Sequence, residues 1–172
     1  MRRHLFALLF VASSSLALGF IVTACGGGSL SLPEYFRQVE GTSNEMDDRF
    51  AALGIEVVSE EELDLEAGVI EANRIFYNAA FPIQRDFADA LADIDPPADV
   101  EDAHKEIVDA TAELAQVYQD VADRLADVGS ASELDELFDE PELETASYRF
   151  AQACFQLQDI ADANGIDADL GC

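Results

Sequence analysis

The sequence predicts an all-α fold, arranged as an antiparallel four-helix-bundle-like domain. From residue 32 to residue 172, apolar side chains recur three or four positions apart, whereas the alternation typical of strands is nearly absent. Most of the prolines, together with Gly129 and Gly165, stand at the ends of these periodic segments, where such residues begin or terminate helices. A segment of about 140 residues is long enough to enclose one apolar core.

The first helix is predicted from about Pro33 to Leu53. Pro33 suits the first turn of a helix, where the N–H that proline lacks has no partner to lose. Gly41 is a weak point because glycine has a low helix propensity. The apolar stripe of this helix comprises Leu32, Phe36, Val39, Met46, Phe50 and Leu53.

The second helix is predicted from near Ser59 to near Ile94, since Ser59 and Glu62 have the spacing of a capping box. Pro82 should bend this helix without ending it, because the apolar pattern continues beyond the proline. The helix should be the most buried of the set, because its apolar positions cover more than one stripe. They are Val69, Ile70, Ile75, Phe76, Tyr77, Ala80, Phe81, Ile83, Phe87, Leu91 and Ile94.

The third helix is predicted from about Ala98 to Val128, after Pro96 and Pro97 have ended the second. Gly129 is expected to stop it, and Ser132 is a candidate cap for the next helical segment. Its apolar seam is unusually regular and comprises Val100, His104, Ile107, Thr111, Leu114, Tyr118, Val121, Leu125 and Val128.

A short helical piece is predicted from Glu133 to Phe138, and a fourth main helix from Pro141 to about Asn164. Gly165 is expected in the left-handed conformation that ends a helix. The fourth helix should bury Leu143, Phe150, Cys154, Leu157 and either Ile160 or Ala161. Four long amphipathic helices with short connections favour an antiparallel bundle.

The amino-terminal segment has the features of an export signal. Arg2 and Arg3 precede an apolar stretch from Leu5 to Val22, and the stretch ends in Val22-Thr23-Ala24-Cys25. This ending resembles the lipobox of bacterial lipoprotein precursors, which implies cleavage before Cys25 and a lipid on its thiol. The alternative is a retained transmembrane anchor, because the stretch is about as long as a marginal membrane span.

The lipoprotein resemblance divides the chain into three parts: a signal peptide at 1–24, a lipidated cysteine with a Gly/Ser tether at 25–31, and a helical domain at 32–172. The glycines of the tether have maximal backbone freedom. The segments "DIDPPADVEDAH" and "ACFQLQDIADANGIDADLGC" also resemble uncharacterised helical lipoproteins of the bacterial envelope. That resemblance implies a helical domain and carries no activity.

The formal net charge of −27 makes nucleic acid an unsuitable partner. Phosphate contacts need lysine and arginine, and this chain has 9 basic residues against 36 acidic ones. The ordinary interpretation of the acidity is a solvated surface. A cationic partner, calcium at the surface or a salty habitat would also account for it.

Glu101 and His104 form a Glu-x-x-His motif. Helical bundles that bind two metal ions carry two such motifs, whereas this sequence has one. Because His104 lies on the apolar seam, we expect a hydrogen-bonded core histidine that leucine replaces at little cost. A single-metal site at His104 and Glu101 is a weak alternative. Three arginines, Arg74, Arg85 and Arg149, are weak candidates for binding an anionic ligand.

Cysteine pairing follows from the predicted lipidation. With Cys25 lipidated, Cys154 and Cys172 remain, and outside the cytosol they should form a disulfide. The alternative is a buried free thiol at Cys154 with a disordered tail.

The sequence contains no nucleophile elbow, phosphate-binding loop, Cys-x-x-Cys or His-Glu-x-x-His motif. We therefore expect no catalysis and no cofactor. The predicted function is a lipid-anchored, extracytoplasmic interaction or binding module of the cell envelope, with the membrane and another envelope protein as partners. The alternative is an extracytoplasmic binder of a small solute or metal ion.

Overall fold

The computed structural model describes residues 30–56 and 65–172, and the fold of this part is all-α, as predicted. It contains the helices α1 (Leu32–Glu56), α2 (Leu65–Ala92), α3 (Glu101–Leu125), α4 (Ala131–Phe138) and α5 (Pro141–Ala163). A 3-10 turn at Ala98–Val100 leads into α3. Within the described ranges no strand is present, and no helix is long and apolar enough to cross a membrane.

The helix α3 lies at the centre of the packing, between α2 and α5, while α1 packs against α2. Two apolar clusters lie along α3. The first joins α1, the second half of α2, the first half of α3 and α5, and its largest fully buried side chains include Tyr35, Phe36, Leu91 and Leu157. The second joins the first half of α2, the end of α3 and α4 around Tyr77, Leu125 and Leu137.

The first two helices follow the predicted pattern with two corrections. The structure buries Tyr35 completely, a residue that the predicted stripe of α1 omits. Val69 and Ile75, predicted to be buried in α2, are 50% and 46% exposed. In the described part of the chain they lie on the exposed face of α2, because an all-round apolar pattern does not say which face packs. The helix continues through Pro82, as predicted. The proposed cap at Ser59 and Glu62 lies outside the described residues.

The seam of α3 is confirmed, since all of its predicted members are buried except Tyr118, which is half-buried. The prediction of Ser132 as the next cap is wrong. The cap of α4 is Ser130, whose hydroxyl accepts a hydrogen bond of 3.3 Å from the Glu133 N–H, while the Glu133 carboxylate accepts one of 2.7 Å from the Gly129 N–H. This pair resembles a capping box, except that the Glu133 carboxylate accepts from the residue before the cap.

The helix α5 ends as predicted, at a left-handed Gly165 with φ of 65°. The Ile166 N–H donates to the Ala161 carbonyl at 2.9 Å, which closes the helix end. Ala161 is completely buried and Ile160 partly so, which decides between the two predicted alternatives.

The carboxyl-terminal tail folds back along α5. Its Leu170 is buried in the first apolar cluster, and a disulfide joins Cys154 to Cys172 with their Cα atoms 5.7 Å apart. This is the pairing predicted from the cysteine count. The Gln158 side chain adds two hydrogen bonds to the tail, donating to the Ala168 carbonyl at 2.8 Å and accepting from the Leu170 N–H at 3.1 Å.

Candidate binding groove

An open groove lies where the end of α3 meets α4 and the start of α5, and its volume is about 420 Å³. Pockets that hold small ligands have volumes of about 300 to 1,000 Å³. Apolar side chains form its floor: Val117, Val121, Leu137 and Leu143. Charged side chains form its rim: Asp120, Asp123, Arg124, Glu140 and Glu142.

The groove arises from the helix period and from the turn before α4. Val117 and Val121 are four residues apart and therefore share one face of α3, while Asp120 and Asp123 lie beside that face. The capped turn at Gly129 and Ser130 directs α4 so that Leu137 reaches the same floor. Pro141 then begins α5, which places Leu143 opposite α3.

Arg124 and Glu140 form a two-pronged ion pair at the rim. The two terminal guanidinium nitrogens of Arg124, Nη1 and Nη2, donate to the Glu140 carboxylate. This contact links the last turn of α3 to the residue that precedes α5. The hydrogen bond from Arg124 lowers the pKa of the Glu140 carboxyl, and the same contact raises the pKa of Arg124. The pair connects the end of α3 to the α4–α5 corner beside the groove.

His104 lies in the core near the opposite end of α3 and does not line this groove. It is 6% exposed, and its Nδ1 shares a hydrogen bond of 3.0 Å with the hydroxyl of Tyr35. Burial lowers the pKa of His104 and raises the pKa of the Tyr35 hydroxyl. These contacts agree with the predicted core histidine.

The weak metal site at His104 and Glu101 gains no further ligands. Glu101 is exposed in the first turn of α3, and the described part of the chain contains no group of three or more side chains suited to holding a metal ion.

Arg74 binds the backbone at the end of α3. Its guanidinium donates to three carbonyl oxygens, those of Leu125 at 2.8 Å, Ala126 at 3.3 Å and Val128 at 2.6 Å. These carbonyls lie at a helix end, where intrahelical partners are lacking. The arginine predicted as a ligand-binding candidate is thus an interhelical cap.

Arg85 and Arg149 also have partners within the chain. The Arg85 guanidinium lies 5.4 Å from the centre of the Phe81 ring and pairs with Asp86. Arg149 on α5 pairs with Glu106 and Glu113 on α3. None of the three candidate arginines lines the groove, and no two of them share a partner among these contacts.

Sequence reasoning did not identify the groove. Leu143 and Val121 were predicted to be buried, but Val117 lies beside the seam of α3, and the rim acids resemble the many other acids of the surface. The one signal available was the apolar pair Val117 and Val121, with Asp120 between the two valines and Asp123 just after them.

Cys25 and the signal segment lie outside the described residues, so their predicted roles stay predictions. Comparison with protein-family models, with curated proteins and with solved structures found no match to this chain.

Proposed function

We propose that this chain is a lipid-anchored extracytoplasmic protein that acts, without catalysis, as an interaction module of the cell envelope. In this proposal the four long helices form an antiparallel bundle, held on the membrane by a lipid at Cys25 and a short tether. The observation that carries the interaction function is the open groove between α3, α4 and α5, with its apolar floor and charged rim.

The distribution of side-chain partners favours binding over chemistry. A catalytic site needs at least two positioned titratable groups facing a cleft. His104 lines a second open pocket with Glu101 and Lys105, but its Nδ1 is hydrogen-bonded to Tyr35. At the groove, Arg124 and Glu140 pair with each other. An apolar floor with a polar rim is instead the usual composition of a surface that receives side chains from a partner.

The partner function is tested by photo-cross-linking in intact cells. A photoreactive residue replaces exposed Asp120 at the rim, and a matched variant carries it at Asp159, which is exposed on α5 and does not line the groove. We expect a discrete adduct with an envelope protein from position 120 and none from position 159. Equal labelling from both positions, or no adduct from either, would count against the proposal.

The anchor is tested by replacing Cys25. The Cys25→Ser variant should accumulate as an unprocessed precursor that takes up no labelled fatty acid, because the thiol that receives the lipid is missing. One buried acyl chain holds a protein marginally and two or three hold it firmly, so the natural chain should remain in the membrane fraction. A cleaved and labelled product from the serine variant would refute lipidation at this residue.

The alternative function, binding of a small solute, is favoured by the volume of the groove, which lies in the range of ligand pockets. Native mass spectrometry of the purified protein decides between solute binding and the interaction function. A co-purifying small molecule that is lost in a Val117→Phe variant, which fills the groove, would favour the solute.

A further inference from the structure

We propose that the groove receives a short basic amphipathic segment of the partner, with apolar side chains on the floor and lysine or arginine at the rim. This inference rests on the proposed interaction function and specifies the chemistry of the partner.

The floor selects apolar side chains. Val121 and Leu137 are buried, whereas Val117 and Leu143 are only half-buried and so present apolar surface to whatever enters. Covering that surface removes it from water, which favours association. A helix that carries apolar side chains three and four positions apart fits a groove of this kind.

The rim selects positive charge. Besides the ion pair of Arg124 with Glu140, the rim carries three exposed carboxylates, those of Asp120, Asp123 and Glu142. Asp120 and Glu142 interact electrostatically with Arg124 but are not hydrogen-bonded to it. The Asp120 carboxylate accepts one hydrogen bond of 2.9 Å, from the Gln116 amide, and retains acceptor capacity because a carboxylate has several acceptor sites. Three acids beside an apolar floor match a segment in which cationic and apolar residues alternate around a helix.

The charge of the whole molecule favours the same occupant. A net charge of −27 attracts a basic segment over distance and repels acidic proteins and anionic lipid headgroups. Electrostatic attraction of this kind weakens with added salt. The floor contact, in contrast, does not depend on screening.

The test measures binding of a synthetic helical peptide of leucine and lysine to the purified full chain in detergent. Because a strongly acidic protein attracts any basic peptide, the test compares two variants of equal net charge. The first removes the rim charges by Asp120→Asn, Asp123→Asn and Glu142→Gln. The control removes three other exposed charges by Asp48→Asn, Asp89→Asn and Asp159→Asn.

We expect the rim variant to lose about tenfold in affinity, because three exposed ion contacts are lost, and the control to lose much less. All six positions are exposed, so both variants should keep the helical circular dichroism of the natural chain. Equal losses in the two variants would overturn the proposal, because binding would then depend on net charge alone.

A second variant tests the floor. Val117→Phe fills the groove and leaves every charge in place, so it should abolish the saturable binding of the peptide. Peptides with glutamate in place of lysine, or serine in place of leucine, should not bind. Undiminished binding to Val117→Phe would show that the groove is not the site.

Failure of this inference is distinguishable from failure of the proposed function. The photoreactive residue at position 120 already removes one rim charge, so Asp123→Asn and Glu142→Gln are added to it. A cross-link from position 120 that persists in this combination would retain the interaction function and refute the basic occupant.

Discussion

At the scale of single residues, the pair of His104 and Tyr35 has the clearest energetic consequence. Both side chains are buried, and the hydrogen bond between them satisfies the hydroxyl of Tyr35. A buried polar group without a partner is destabilising by about 1 to 3 kcal/mol. The expectation from sequence that leucine replaces His104 at little cost therefore omitted the partner residue.

We predict that His104→Leu lowers the free energy of unfolding by about 1 to 3 kcal/mol, because it leaves the Tyr35 hydroxyl unpaired. The double variant Tyr35→Phe/His104→Leu should recover most of this loss, since neither polar group then remains. Urea denaturation followed by circular dichroism measures the free energy of unfolding of the single and the double variant. An additive loss in the double variant would show that the two side chains are not coupled.

The lowered pKa of His104 predicts a pH dependence of stability. The folded chain resists protonation of the buried imidazole, whereas the unfolded chain protonates it below its usual value of 6.5. The unfolded state then binds more protons, so stability falls as the pH drops below 6.5 and is unaffected by this group above it.

The measurement compares the natural chain with the double variant over about pH 5 to 8, the range of histidine titration. Titration of the many carboxylates is common to both proteins and cancels in the difference. We expect the natural chain to lose stability relative to the double variant only on the acidic side. If the difference in free energy of unfolding between the two proteins did not change with pH, titration of His104 would be excluded as a contribution to stability.

At the scale of elements, the end of α3 depends on a side chain from α2. The Arg74 guanidinium donates to three carbonyls at and just after the last residue of α3, so it joins two helices through one group. No sequence rule identifies this contact, because Arg74 and Val128 are 54 positions apart. The adjacent cap at Ser130 and Glu133, in contrast, is local, and its Ser-x-x-Glu spacing is a sequence signature.

We predict that Arg74→Met lowers the free energy of unfolding by about 2 kcal/mol, because charge-assisted hydrogen bonds to carbonyls are lost. Arg74→Lys should lose less, since an ammonium retains part of the contact but lacks the planar fork. Arg85→Met is the matched control, because Arg85 is 55% exposed and lies over a ring of its own helix. Thermal and urea unfolding measure the stability of the three variants. Equal stability of Arg74→Met and Arg85→Met would contradict the capping role of Arg74.

At the scale of the whole molecule, the tail is held to the helices by covalent and buried contacts together. The disulfide closes a loop with a sequence separation of 18, and Leu170 inside that loop contributes to the core. The Asp169 N–H donates at 3.1 Å to the Glu40 carboxylate, which also connects the tail to α1. The carboxyl terminus is thus part of the folded domain.

We predict that Cys172→Ser lowers the free energy of unfolding by about 3 kcal/mol, the value expected for a loop of this size. The amide of Leu170 should then exchange with solvent hydrogen faster, because the end of the tail is released. Reduction of the natural chain should reproduce both effects. Rapid alkylation of two thiols in the native protein would contradict the disulfide.

The sequence by itself determined the fold class, the approximate bounds of the helices and the residues of the α3 seam. Apolar side chains at helical spacing can be buried together only on one face of a helix, and this information is local. Gly165 was predicted from local sequence too, because its freedom at positive φ allows α5 to end there. The cysteine pairing was predicted from the number of cysteines in the chain together with the predicted lipidation of one of them.

Only the tertiary structure decided which apolar faces meet and which polar groups become partners. Val69 and Ile75 are exposed, Tyr35 reaches His104 across 69 positions, and Arg74 caps a helix other than its own. The groove is likewise a property of three helix ends meeting, and its floor residues come from segments that are not adjacent in the chain. The physical reason is that helical periodicity fixes a side chain's direction around its own axis, whereas the neighbour it meets depends on how the helices pack.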